Sequence, residues 1–306
     1  MKQEEGARTK HIFIINPTAG QAAGKAELEA KIHEACKDAA YEIHKTTAPQ
    51  EATAYVRACC EREPNEELRF YACGGDGTLN EVAAGAYRYP NASVTCIPCG
   101  SGNDYVKCFG GAEAFQDLHK LMTNEATPVD LMQANEYICV NVLNFGFDTK
   151  VAKTIIKVRR KPIIGGKNAY TSGIVNALFT AMRTKCTITV DGEQILDGAM
   201  LLCTICNGQY VGGSFRCAPR AVVDDGLLEV CKCKCVNHFK FIKILKPYTA
   251  GQHLDDPMCD GLFTYRRGKE VDITGKGLSF SVDGEIIETD HLHITVMKGA
   301  LRFVRP

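Results

Sequence analysis

Leu68-Arg69-Phe70-Tyr71-Ala72-Cys73-Gly74-Gly75-Asp76-Gly77-Thr78-Leu79-Asn80-Glu81 is the stretch from which the fold is read. Its first six residues, apolar except for Arg69, make a run of strand length, and residues 78–87 carry a helical pattern. Between them stand three glycines in four positions. Glycine lets a backbone approach a ligand where a β-carbon would clash. The following helix aims free N–H groups and the positive end of its dipole at an anion. A tight turn alone explains one glycine, or two. The third favours a strand–turn–helix unit that binds phosphate, with Asp76 among the donors to orient a metal or take a proton.

The same rhythm extends outward. Upstream, residues 11–15 read as a buried strand, followed by the turn Asn16-Pro17-Thr18-Ala19-Gly20. Residues 25–40 place Leu28, Ile32, Ala35 and Ala39 at helical spacing, residues 41–45 form a short strand, and residues 50–62 a helix stopped by Pro64. Downstream, the strand at 93–97 enters a second glycine turn, Pro98-Cys99-Gly100-Ser101-Gly102-Asn103-Asp104. Ser101 and the glycine amides suit phosphate, and Asp104 suits an N-cap or a metal network; capping alone also accounts for Asn103 or Asp104. This β-α-β-α alternation predicts an open, mainly parallel sheet covered by helices, with ligands beyond the carboxyl ends of the strands, where all three glycine-rich turns fall. Gly20-Gln21-Ala22-Ala23-Gly24-Lys25 is not a Walker loop: three residues separate its glycines where four are needed, and Ala26 stands where Ser or Thr should hold magnesium. Lys25 is expected on the solvent side of its helix.

After Pro128 the pattern changes. Residues 138–145, 187–190, 200–206, 227–233, 263–266, 271–273, 278–282, 293–296 and 301–304 are short strand candidates separated by turns, with helices near 168–184 and 237–246. Such a series predicts a β-sandwich. The boundary is set near Asp130, giving an α/β domain over 1–130 and a β-sandwich over 131–306, whose last strand is a candidate to return to the first domain.

Composition narrows the function. A chain of 306 residues with 45% hydrophobic side chains can fill two cores. Equal numbers of basic and acidic residues, 36 each, exclude a globally basic nucleic-acid binder. The 16 cysteines lack the spacing of a secreted scaffold, so reduced, cytosolic thiols are expected. Residues 1–10 are polar, and the apolar runs at 174–182 and 199–206 fall short of the ~20 residues a membrane span needs. The expectation is a soluble protein whose membrane contact is peripheral.

Taken in order, these elements resemble the diacylglycerol kinase catalytic family, which includes sphingosine kinases and bacterial lipid kinases. The resemblance runs through Asn16-Pro17 with Gly20, Thr46, the first glycine turn with Asn80-Glu81, the second glycine turn, Asp130, Asn144-Phe145-Gly146-Phe147-Asp148, Gly212-Gly213, Ala218-Pro219, Asp225-Gly226-Leu227 and Asp283-Gly284-Glu285. It implies a phosphofructokinase/NAD-kinase-like sheet followed by a β-sandwich, with ATP as phosphoryl donor and a lipid hydroxyl, diacylglycerol first, as acceptor. Asn16, Thr46, Cys73, Gly74, Gly75, Asp76, Gly77, Thr78, Leu79 and Ser101 match positions that line ATP. Glu285 matches the proton acceptor, with Asp283 beside it and Asp76 as second candidate. Val222, Asp225 and Leu227 match a structural magnesium site, and Asn80, Glu81, Asn103, Asp104 and Asp130 support the network. The family departs here in Cys73 and in Ser101, which keeps a hydroxyl. A homodimer, cytoplasmic and peripheral at the inner face of the membrane, follows from the same resemblance. An NAD kinase-like enzyme of a soluble substrate and a catalytically silent lipid or nucleotide binder are the competing readings.

Other signals read as structural. Asp191-Gly192-Glu193 repeats the acidic triplet but suits an Asp-Gly hairpin, as does Asp283-Gly284-Glu285 on local grounds. Cys231-Lys232-Cys233-Lys234-Cys235 alternates as a half-buried strand does, with cysteines inward and lysines outward. Cys99 is the thiol placed for oxidation beside a nucleotide. Lys157, Arg159, Arg160, Lys161 and Lys167, around Ile163-Ile164, form either a solvated run or a membrane-facing loop. His291 and His293 share a strand face and are expected at the surface, without ligand partners.

Overall fold

The computed structural model describes residues 9–20, 22–147, 149 and 183–306. The helix expected near 168–184, the basic cluster at 157–167 and Asp148 lie outside the described residues, except that Thr184 opens a strand. The side chain of Lys25 lies outside them as well. The chain divides into two compact units, one running to Leu131 and taking back Lys298–Pro306, the other Met132–Met297.

In the first unit, β1 (Lys10–Ile15), β2 (Tyr41–Lys45), β3 (Leu68–Gly74) and β4 (Ala92–Pro98) alternate with α1 (Ala22–Ala35), α2 (Glu51–Arg62) and α3 (Asp76–Ala86), and a short α4 (Leu118–Thr123) follows. The strands are parallel in the order β2-β1-β3-β4. Consecutive residues Ile12, Phe13 and Ile14 are all 0% exposed, so both faces of the sheet are covered, as βαβ crossovers require. The chain crosses from β1 to β2 on one side and then from β2 back past β1 to β3 on the other, so the strand order reverses at β1. The crevice for a ligand therefore opens at the carboxyl ends of these strands.

Among the described residues, the second unit contains β6 (Tyr137–Cys139), β7 (Val142–Gly146), β8 (Thr184–Val190), β9 (Glu193–Cys206), β10 (Leu228–Lys234), β11 (Phe263–Gly268), β12 (Glu270–Val282), most of β13 (Glu285–Val304), and one long helix, α5 (His238–Ala250). Its strands pair antiparallel, and the long ones serve two partners in turn. Thr187↔Asp197 belongs to the β8–β9 ladder, while Ile205 of β9 lies opposite Leu143 of β7. β12 likewise meets β8 through Val271–Thr274 and β7 through Phe280–Val282, with a register shift between Thr274 and Leu278. Strands that change partner part-way fold the ladder over a common core, which holds Phe145, Ile188, Ile205, Val230, Phe280 and Ile294. This is the sandwich that the sequence predicts.

Three details correct the sequence reading. The single strand expected over 138–145 is two, interrupted at Val140-Asn141, because the Asp283 carboxylate takes the N–H groups of Val140 (2.7 Å), Asn141 (3.2 Å) and Val142 (2.9 Å). β5 (Ala126–Ala134) was not expected; it pairs with β13 and β6 across what the sequence marks as a boundary. Lys232 is buried rather than outward-facing, because β10 lies between β9 and β11 with buried residues on both faces.

Candidate functional site

All three glycine-rich turns of the first unit meet. Gly20 has φ of +70°, and a β-carbon there would lie 2.8 Å from the carbonyl oxygen of Cys99. A β-carbon on Gly100 would lie 2.6 Å from the Cα of Gly75, so the first and second turns touch backbone to backbone. Cys99 and Gly100 donate their N–H groups to the carbonyl of Gly74 at 2.8 and 3.2 Å, and Asn103 closes its own turn onto Gly100 with bonds of 3.1 and 2.8 Å. Gly75 is the N-cap of α3 and offers no side chain, which leaves the first-turn amides of that helix for an external acceptor.

Asn16 ties β1 to this cluster. Its backbone N–H donates to the carbonyl of Cys73 (3.0 Å), its Nδ2 to Thr78 Oγ1 (3.1 Å), and its Oδ1 accepts from Thr18 N and Oγ1. Beside it lies a cavity of about 290 Å³ lined by Asn16, Pro17, Thr18, Thr46, Thr47, Ala48, Pro49, Ala52, Thr78 and Glu81. That volume sits at the small end of ligand sites. A wider hollow of about 480 Å³ along α1 includes none of the turn residues. Asn16, Thr46 and Thr78, which the family resemblance matches to ATP-lining positions, line the smaller cavity together with Glu81, which it matches to the supporting network. Cys73 and Leu79 are buried, and Asn80 is half-buried on α3, while Ser101 is exposed at the tip of the second turn. Thr18, Thr47, Ala48, Pro49 and Ala52 were missed. Their local signal is the turn between β2 and α2, where Glu51 accepts from Thr47 N, Thr47 Oγ1 and Ala48 N. Those bonds, Thr47's hydroxyl foremost, hold the Glu51 carboxyl down at about 2.

Among the described residues, the lining carries no lysine or arginine. Anionic charge there would be met by amides, hydroxyls and whatever cation comes with the ligand. Asp76 is half-buried and its Oδ1 accepts the N–H groups of Asp104 (2.6 Å) and Tyr105 (3.3 Å). Burial and the neighbouring Asp104 carboxylate raise Asp76 above its ordinary value, against the pull of those N–H groups and of Lys107. Asp76 and the neighbouring Asp104 carboxylate are together a donor set that an added hard cation would relieve. Lys107 Nζ already reaches Asp104 Oδ1 at 2.6 Å. Asp130, 0% exposed on β5, accepts the N–H of Gly299 at 2.7 Å and so fastens the returning segment.

In the second unit, Asp283-Gly284 is a two-residue hairpin turn with φ of 44° and 94°, and Val282 pairs with Glu285 across it. Asp191-Gly192 has the same form, with φ of 47° and 82°. Asp283 spends both oxygens on the three amides given above, and burial pushes its carboxyl up to about 6 against their pull. Glu285 is exposed at the start of β13. Asp225 is half-buried; its Oδ1 accepts the N–H of Leu227 (3.0 Å) and its other oxygen pairs with Arg267, which also holds Glu229 at 2.8 Å. A carboxylate has about four lone-pair positions, so a cation bound with the Val222 and Leu227 carbonyls would share Asp225 with Arg267. His291 and His293 do have partners: their rings meet Asp272 Oδ1 at 3.1 and 3.0 Å, and His293 lies 3.8 Å from Glu270. The facing strand β12, whose register sets Asp272 opposite His293, supplies acids that the local sequence does not show.

Residues 10–134 match the model of the diacylglycerol kinase catalytic domain, and residues 141–305 match that of the YegS C-terminal NAD kinase beta sandwich-like domain. The chain belongs to this lipid-kinase family. A diacylglycerol kinase of Bacillus subtilis is 27% identical to it over 278 residues, covering 89% of this chain and 88% of that protein. A probable YegS-like lipid kinase of Shewanella frigidimarina is 30% identical, covering 84% and 82%. In fold, the chain is similar to a diacylglycerol kinase structure from Bacillus anthracis, with a TM-score of 0.72 at 21% identity over 97% of both chains. No helix among the described residues is long and apolar enough to cross a membrane.

Proposed function

We propose that the chain transfers the γ-phosphoryl group of ATP to a lipid hydroxyl, with diacylglycerol as the first acceptor to test and phosphatidic acid as product. The observation that carries this reading is the meeting of the glycine turns at the strand ends, beside a cavity walled by Asn16, Thr46 and Thr78, in a member of this family. Phosphoryl transfer spreads charge over the transferred oxygens, so catalysis is mainly positioning and electrostatic stabilisation. The amides at the start of α3 are fixed donors for that charge, and Thr78 and Ser101 add hydroxyls. Magnesium bound with the nucleotide would neutralise phosphate charge, with Asp76 and Asp104 as the residues to hold it there and Val222, Asp225 and Leu227 as a separate structural set.

Glu285 is assigned as the group that takes the proton from the lipid hydroxyl as it attacks phosphorus. Asp283 is less suited to that role because three of its roughly four lone-pair positions accept backbone N–H groups, and Asp76 orients the second turn. Membrane contact at the cytoplasmic face and a homodimer belong to the same proposal.

The experiment is to incubate purified protein with ATP, magnesium and a panel of diacylglycerol, phosphatidylglycerol, sphingosine and NAD, reading phosphorylated product by mass. Phosphatidic acid as the main product supports the reading. Phosphorylated NAD alone would assign a soluble substrate, and ATP left intact with every acceptor would remove the kinase assignment. Glu285→Ala should lower turnover ~10²–10⁴-fold, the usual worth of general-base help, while the protein still folds. Full turnover in that variant would reject Glu285 as the base.

A further inference from the structure

Helix α5 presents apolar side chains on two opposite faces. Phe241, Ile244 and Tyr248 enter the second unit's smaller core beside Phe147, Cys217 and Cys259, with the Phe147 and Phe241 rings 4.7 Å apart. Phe239, Ile242, Lys243 and Lys246, spaced i, i+3, i+4 and i+7, form the exposed face. A surface helix is ordinarily polar on that side. Here Phe239 is 82% exposed and Ile242 is 61% exposed, more than any other large hydrophobic side chain described. Met258, 45% exposed, is held at the same helix by the hydrogen bond that Lys240 Nζ donates to its carbonyl at 2.8 Å. Local instability does not account for this exposure. Asn237 caps the helix by accepting from Lys240 N, Gly251 ends it in the left-handed region, and the inner face is packed.

Charge selects the partner. The thirteen residues of α5 include Lys240, Lys243 and Lys246 and no aspartate or glutamate. In the adjoining turn, Asp255 pairs with Arg220 at 2.7 Å and Asp256 caps the N–H of Met258 at 2.8 Å. A lysine lays its aliphatic stem along apolar surface and carries its ammonium outward. An aromatic and a branched aliphatic residue set among lysines form the pattern of a helix that lies in the plane of an anionic bilayer.

We propose that the Phe239–Ile242–Lys243–Lys246 face of α5 is the surface by which the protein lies on an anionic lipid membrane. Phe239 and Ile242 enter the boundary between headgroups and acyl chains, and the lysines meet the headgroups. The inference rests on the lipid-kinase reading, because an enzyme of a membrane lipid must settle on the bilayer that holds its acceptor.

The chain contains no tryptophan, so Phe239→Trp installs a single tryptophan, selectively excited over the tyrosines, at the N-terminal end of the face. Addition of phosphatidylcholine vesicles containing phosphatidylglycerol should move its emission to the blue and shield it from an aqueous quencher, and pure phosphatidylcholine vesicles should do so less. In that background Lys243→Glu and Lys246→Glu should each weaken partition about fivefold or more, since a basic residue near such a surface contributes roughly one factor of that size. Ile242→Asp should weaken it in high salt as well. Emission unmoved by saturating vesicles, or partition untouched by these substitutions, would overturn the proposal. A blue shift that appears without vesicles as protein concentration rises would overturn it in favour of a second copy of the chain. Turnover separates this proposal from the one it rests on. Loss on vesicles with full turnover on detergent-dispersed lipid supports the surface, and equal loss in both assays counts against it. Partition through α5 by a protein that phosphorylates no lipid would keep the surface and remove the kinase.

Discussion

Asp283 and Glu285 stand two positions apart and do different physical work. The Asp283 carboxylate accepts three backbone N–H groups and holds strands together, whereas Glu285 stands exposed at the strand start. Asp191 follows the same rule in the other hairpin, where it accepts the N–H groups of Lys269 and Glu270, both at 2.9 Å. The division can be tested by stability. Asp283→Asn replaces one acceptor oxygen with an amide that must face an N–H donor, and an unsatisfied buried donor costs ~1–3 kcal/mol. Urea denaturation should show a loss of that order for Asp283→Asn and little for Glu285→Ala, while both lose turnover. Equal stability of the two variants would mean that Asp283 does not secure the hairpin. The sequence showed both acids but not this division, because the amides that Asp283 binds are 141–143 positions away.

At the scale of elements, legibility follows the range of the interactions that shape each one. The strand–turn–helix units of the first unit could be read because apolar runs and glycine punctuation are local, whereas Asn16 and Thr46 are singled out only through the family resemblance. The pieces that could not be read are shaped from elsewhere. β5 contains Pro128 and an internal Asp130, both unusual in a strand, and it holds because Gly299 satisfies that aspartate. β12 read as two strands because Gly275 and Gly277 interrupt its pattern at the point where it changes partner. Ala48, Pro49 and Ala52 line the cavity by shape alone, for which no residue type is a signal. The glycine turns make a corresponding prediction. A methyl at Gly100 meets the backbone of Gly75, which has no flexible end to swing away. Gly100→Ala should therefore cost about 1–3 kcal/mol by overpacking and raise the KM for ATP more than that for lipid. Steady-state kinetics with each substrate varied in turn would check it, and an unchanged KM for ATP would detach this turn from the nucleotide.

Each compact unit buries one histidine, which gives the whole molecule a predictable response to acid. His11, 5% exposed on β1, bonds Tyr71 Oη at 2.8 Å; burial, with the nearby Arg69 charge, lowers it to about 4. His253, 1% exposed, lies 3.5 Å from Cys231 Sγ and is lowered to about 4, again chiefly by burial. In the unfolded chain both take up a proton near pH 6.5. Between that pH and about 4 the unfolded state binds protons that the native state refuses, so stability is complete above 6.5 and falls as pH drops. The loss is about 2 kcal/mol per histidine near pH 5. Asp283 acts in the opposite sense, because a carboxyl raised to about 6 takes up its proton while folded. Its contribution near pH 5 is about 1 kcal/mol, so the two histidines outweigh it. Thermal unfolding followed from neutral pH to about pH 5 should show a falling Tm, and a His11→Gln/His253→Gln variant should show a flatter slope whatever its stability at neutral pH. An equally steep slope in that variant would place the acid sensitivity in other groups and leave these two histidines accessible to protons in the folded state.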